Sequence, residues 1–96
     1  LRDVLLKEAR FLGQPRPPVY PRRARELEQQ GTVVLHIRLD GQGSIVDVQV
    51  QTSSGFALLD EAALAAARNW RFQPPTRDGL PIDGGIVAVP VPFTLR

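Results

Sequence analysis

The side chains able to carry chemistry are few and do not converge. His36 is the only histidine and the chain has no cysteine. A zinc site draws on several nitrogen or sulfur ligands at characteristic spacings, and His36 has no such companion. It sits within an alternating stretch and reads as a sheet-face histidine, not a metal ligand or catalytic base. Ser53-Ser54-Gly55 offers hydroxyls, but Gln51 and Thr52 precede Ser53, so no G-x-S-x-G elbow forms. That triplet reads as a polar turn entering a helix. Gly41 and Gly43 lie between two strands, whereas a phosphate-cradling glycine loop joins a strand to a helix. Asp40, Asp47, Asp78 and Asp83 fall in turns or on a polar strand face, and no two of them pair as acid and base. The residues point away from an enzyme and imply no metal or cofactor.

Arg16, Arg22, Arg23 and Arg25 form the one basic cluster. Arginines at this density commonly make a solvated helix face, with partner contact as the functional reading. Nucleic acid is a weaker match, because Phe11 and Tyr20 are the only nearby aromatics and no RNP-like strand motif is present. Net charge is only +2, with residues 1–38 carrying eight Lys or Arg against four Asp or Glu, and residues 39–96 four against six. The N-terminal part is the electropositive end.

A chain of 96 residues with 43% hydrophobic and 23% charged residues suits one ordinary globular domain that builds a core without metal or disulfides. The longest mainly apolar stretch, residues 86–93, is far short of the ~20 residues of a membrane helix, and no signal peptide is evident. Beginning at Leu1 and not at Met, the chain reads as a fragment from which an anchor or export signal has been removed.

Residues 1–12 place Leu1, Val4, Leu5, Ala9 and Leu12 on one helix side, predicting a short N-terminal helix. Gly13 and the prolines at 15, 17 and 18 end it in a stiff connector. The expected division is residues 1–16, helix and connector, and residues 17–96, the domain. Pro21 opens a second short helix, anchored by Leu27 and ended by Gly31. Residues 32–40 alternate, with Val33, Leu35, Ile37 and Leu39 against Thr32, His36, Arg38 and Asp40, which is a half-buried strand. Asp40-Gly41-Gln42-Gly43 turns the chain into a second strand carrying Val46, Val48 and Val50 on one face. Leu59, Ala62, Ala63, Ala66 and Trp70 recur at helical spacing in a helix starting near Asp60, with small alanines for close approach to the sheet. Residues 73–85 read as a long loop, and Val87, Val89, Val91, Phe93 and Leu95 alternate as a third strand.

A helix between the second and third strands demands a crossover, and inserting the first strand between them is the simplest compact solution. The fold class is therefore α+β: a three-stranded antiparallel sheet of order 2-1-3 with two helices, plus the short N-terminal helix. Strands 2 and 3 are its edges. Pro90 and Pro92 share one side of the last strand and neither has an N–H, so that side faces outward while residues 87, 89, 91 and 93 bond to the first strand. The open edge can receive an added strand, although the two missing donors weaken such pairing.

Several motifs then fall in a recognisable order: Pro18-Val19-Tyr20-Pro21, Gly31, Gly43, Ser53-Ser54-Gly55, Leu59-Asp60-Glu61-Ala62-Ala63-Leu64, Trp70-Arg71-Phe72-Gln73-Pro74, Gly79-Leu80-Pro81 and Val89-Pro90-Val91-Pro92-Phe93. Over about residues 17–96 the chain resembles the TonB C-terminal domain family. The resemblance implies the periplasmic domain of an energy transducer anchored in the inner membrane of a Gram-negative bacterium and driven by ExbB and ExbD through a missing N-terminal part. Such a domain grips the TonB box of an outer-membrane transporter by strand addition and transmits force for uptake of siderophores, haem or similar nutrients. It implies partner contact at Arg23 and at Val87, Ala88, Val89, Pro90, Val91, Pro92, Phe93, Thr94 and Leu95, a structural role for Trp70 and Phe72, and no catalytic or metal residue. A strand-exchanged homodimer is compatible with the exposed edge. The alternative is a TolA-like cell-envelope scaffold that binds other envelope proteins or peptidoglycan.

Overall fold

The computed structural model describes residues 10–95. Helix α1 (Arg22–Glu26) leads to strand β1 (Gly31–Asp40), β2 (Ile45–Thr52), helix α2 (Ala57–Ala67), the two-residue strands β3 (Thr76–Arg77) and β4 (Leu80–Pro81), and β5 (Gly84–Phe93). The main sheet has the order β2-β1-β5, with both pairings antiparallel. This is the expected 2-1-3 arrangement, and it follows from the α2 crossover: β1 must lie between its hairpin partner and the strand that returns.

The core is the alternating face of the sheet closed by α2. Val33, Leu35, Ile37 and Leu39 of β1 are buried with Val87, Val91 and Phe93 of β5, against Leu59, Ala63 and Ala67 of α2 and the following Trp70 and Phe72. The two helical alanines in that contact keep α2 close to the strands, because a methyl adds almost nothing to the interaxial distance. On β5 the intervening Ala88, Pro90 and Pro92 are exposed, as the period of two requires.

Four sequence expectations are corrected in detail. The anchor of α1 is Ala24, fully buried, while Leu27 is half exposed; so short a helix lies too near the core for a larger side chain to fit beneath it. The residue that turns the chain after α1 is Glu28, at φ 56°, and Gly31 instead begins β1, where a Cβ would stand 3.0 Å from the Ser54 carbonyl oxygen. Helix α2 begins at Ala57, three residues before Asp60. Val46 is exposed because the β1–β2 register slips beside it, leaving Ile45 opposite Leu39 and Asp47 opposite Arg38. That extra residue is a β-bulge, which breaks the strict alternation read from sequence.

The stretch expected as loop over residues 73–85 contains the β3–β4 hairpin. Asp78 and Gly79 both have positive φ, the conformation of a two-residue type I′ turn, for which Asp-Gly is a favoured pair.

Of the expected N-terminal helix, residues 1–9 lie outside the described residues. Residues 10–12 pair with the segment after α2: Phe11 forms an isolated antiparallel bridge with Phe72, Leu12 N–H donates to the Arg71 carbonyl at 2.8 Å, and Gln73 N–H donates to the Arg10 carbonyl at 2.9 Å.

Candidate partner-binding edge

Strand β5 pairs with β1 on one side only. Ten consecutive residue pairs, from Gly31 opposite Phe93 to Asp40 opposite Gly84, are in register without a bulge. Pro90 lies opposite Val34 and Pro92 opposite Thr32. Neither proline has an N–H, so these are the pairs whose backbone groups turn away from β1, and Val87, Val89, Val91 and Phe93 bond to it. The outer side of β5 therefore carries the amides of Ile86 and Ala88 but only carbonyls at Pro90 and Pro92. The other edge, β2, has no proline, yet register slips beside Val34–Leu35 and Arg38–Leu39 leave it regular only between them. The longer straight template is β5.

Val87, Val91 and Phe93 are buried and Val89 is half-buried; with their backbone groups given to β1 and their side chains turned to the core, they support the edge without offering a partner either. Ala88, Pro90, Pro92 and Thr94 are exposed and form the side-chain surface beside an added strand. Beyond the strand, Leu95 N–H donates to the Gln30 side-chain oxygen at 3.0 Å, which holds the end of the strand down. Arg25, Glu28, Gln30 and Leu95 line a shallow open concavity there.

Arg23 is exposed on α1, and its guanidinium lies 3.6 Å from the Glu26 carboxylate, which Arg22 also approaches at 3.2 Å. Exposed pairs of this kind contribute little to stability. The connection from this helix to β5 runs through Tyr20, whose ring meets Phe93 edge-on at 5.4 Å and whose hydroxyl donates to the Gln29 carbonyl. Gln30 was not singled out by sequence, and Arg25 was named only as one member of the basic cluster. A glutamine in a linker carries no pattern, and Arg25 differs from its neighbours only by its place in space.

A second contact sets where β1 begins, and so where β5 ends. The Asp60 carboxylate accepts hydrogen bonds from the Ser53 hydroxyl and from the Ser54 amide and hydroxyl, the latter two at 3.0 and 2.8 Å. Burial tends to raise the Asp60 pKa, but these three donors outweigh it and hold the carboxyl below its ordinary range. Ser54 in turn lies against Gly31, the residue opposite Phe93. The serine hydroxyls that could have suggested a nucleophile are thus engaged by a carboxylate that positions a turn.

Among the described residues, no three His, Cys, Asp or Glu side chains gather where they could share a metal ion. His36 lies on the helix-free face of the sheet, between Gln49 on β2 and Ala88 on β5. No described helix is long and apolar enough to cross a membrane.

The arrangement defines a small α+β domain that presents a long edge strand. The chain belongs to the family described as Gram-negative bacterial TonB protein C-terminal, which it matches over residues 16–95. It is 37% identical over 95 residues to Protein TonB of Vibrio cholerae, covering 99% of this chain and 38% of that protein. Protein tonB2 of Pseudomonas aeruginosa is 40% identical over 88 residues, covering 92% of this chain and 32% of that one. The chain thus spans about a third of the length of these relatives. The fold is similar to a solution NMR structure of the Pseudomonas aeruginosa TonB CTD, with a TM-score of 0.72 and 28% identity, covering 95% of this chain and 92% of that one.

Proposed function

We propose that the chain is the periplasmic, force-transmitting domain of a TonB-like energy transducer, and that it grips an outer-membrane transporter by adding the transporter's TonB box as a strand beside β5. The observation that supports this most directly is the unpaired outer side of a ten-residue strand, in regular register with the centre of the sheet. An extended peptide laid there gains backbone hydrogen bonds at alternate residues. The strand beneath it is bonded along its whole length to β1, so a pull on the peptide is shared by many bonds. In this reading the nutrient is a siderophore, haem or a similar scarce compound, and inner-membrane anchoring and the ExbB and ExbD contacts belong to regions outside this domain.

The edge is selective by omission. An incoming strand finds donors and acceptors at Ile86 and Ala88 but only acceptors at Pro90 and Pro92. Each lost backbone bond is worth roughly 0.5–1.5 kcal/mol, so the two prolines reduce the affinity for an isolated peptide by about ten- to a hundredfold. Arg23 and the exposed side chains near Leu95 supply the remaining contacts.

The test is an amide NMR titration of the domain with a peptide from a transporter's N-terminal segment. Shifts concentrated in residues 84–95, with slowed amide exchange at Ile86 and Ala88, are expected. Shifts confined to residues 22–25, with β5 unchanged, would remove strand addition at this edge.

A further inference from the structure

We propose that residues 10–16 form a mechanical latch, a cis-docked strand that peels from the domain under tension before the β1–β5 pairing yields. This rests on the reading that the domain carries load. The ring of Phe11 stacks on Phe72 with centroids 4.6 Å apart and planes at 27°, and meets Trp70 edge-on at 5.5 Å and 90°. Two backbone hydrogen bonds flank this single bridge, one from Leu12 N–H to the Arg71 carbonyl and one from Gln73 N–H to the Arg10 carbonyl. The Trp70 indole N–H donates to the Arg16 carbonyl at 2.9 Å. The linker is therefore held at two points, by side chains and by backbone.

The attachment is graded in strength. The latch has one bridged pair, whereas β1 and β5 have ten in register. A pull at the N-terminal side of Arg10 loads the bridge first, and its two bonds can break one after the other. Between Arg16 and Tyr20 the chain is stiffened by proline, with Pro17 and Val19 exposed and Pro18 half-buried. At Tyr20 the chain is caught again, by the ring against Phe93 and the hydroxyl on the Gln29 carbonyl. Among the described residues, opening thus runs from Arg10 to a stop at Tyr20. Beyond that stop, the pull passes through α1 to Gly31, the end of β1 that faces Phe93, where the ladder of ten pairs begins. The latch converts a direct jerk on the gripping strand into a short compliant extension.

The chain has no cysteine and one tryptophan, which makes both readouts specific. An Ala88→Cys substitution, at an exposed position of β5, gives one handle and Leu1 the other for single-molecule stretching of the 96-residue chain. The expected trace is a reversible low-force lengthening, at most about 35 Å for the ten residues released at ~3.3–3.6 Å each, followed by one cooperative rupture. Phe11→Ala should remove the first step or lower its force, with the main rupture unchanged. Leu12→Pro, which deletes the N–H given to Arg71 without touching an aromatic ring, should do the same, and in bulk both should shift Trp70 emission to the red. A single rupture in the parent chain would overturn the latch, as would a first step in both variants at the parent's force or a variant effect confined to the main rupture. Peptide binding at β5 is measured separately: its absence with the first step intact counts against the proposed partner and not against the latch.

Discussion

Tyr20 and Phe93 meet edge to face, with ring centroids 5.4 Å apart and planes at 88°. This contact pins the chain that enters the domain to the final residue of its edge strand. The Tyr20 hydroxyl then reaches the Gln29 carbonyl, closing residues 20–29 around α1. Tyr20→Phe keeps the ring and loses one hydrogen bond, an expected loss of about 0.5–1.5 kcal/mol in urea unfolding. Tyr20→Ala also empties a half-buried site and should cost roughly 2–3 kcal/mol, below the span for fully buried aromatics. Equal losses in the two variants would show that the ring contact contributes nothing.

The proline pair on β5 makes a prediction of opposite sign. Pro92→Ala and Pro92→Arg each restore an outward N–H opposite the Thr32 position. Either should tighten binding of the cognate extended peptide by about two- to tenfold, the equivalent of one backbone hydrogen bond. Calorimetric titration of the peptide measures it, and an unchanged Kd in both variants would mean that the prolines do not limit pairing. The same substitutions should increase self-association at high concentration, since an edge with its donors restored is a better template for a second copy.

Gly43 is constrained twice. Its φ is +85°, and a Cβ there would stand 2.3 Å from the Phe72 carbonyl oxygen and 2.8 Å from the Gln73 carbonyl. Gly43→Ala should therefore destabilise by roughly 2–4 kcal/mol, combining left-handed strain with displacement of residues 72–73. Gly79, at φ +81° with open space around it, isolates the first component: Gly79→Ala should cost about 1 kcal/mol. Thermal unfolding of the pair separates strain from crowding.

The Asp60 carboxyl is held below its ordinary pKa by the Ser53 and Ser54 donors, despite burial acting the other way. With the folded pKa depressed, the unfolded chain binds the proton more readily, so stability rises with pH across this titration. The contribution is complete above the ordinary aspartate value of ~3.9 and is lost as pH falls through the lower folded value. Asp60→Asn should cost about 1 kcal/mol at neutral pH, and the gap between the two proteins should close in acid. Chemical unfolding at a series of pH values from neutral to about 2 checks both the size and the direction.

Alternation is a local consequence of the pleat, so Val33, Leu35, Ile37 and Leu39 announced a half-buried strand without any knowledge of what covers it. The crossover helix then left one simple place for that strand, and the missing amides of Pro90 and Pro92 assigned the outer side of its neighbour. The motif series from Tyr20 to Phe93 carried the family. The sequence by itself thus determined the three main strands, their order and the side of the last strand left unpaired, because period, connection length and absent donors are properties of short stretches of chain.

What only the tertiary structure decided involves residues brought together from a distance. Phe11 carries no mark that it will stack on Phe72, sixty-one positions on by number. Gln30 gives no sign that it will hold Leu95, and Ala24 displaces Leu27 as the anchor of α1 because of the space left beneath that helix. The bulge that exposes Val46 is a property of a strand pair, and the Asp78-Gly79 hairpin was hidden by flanks that do not alternate. Each depends on a surface that exists only after the chain has folded back on itself, and local spacing does not encode such a surface.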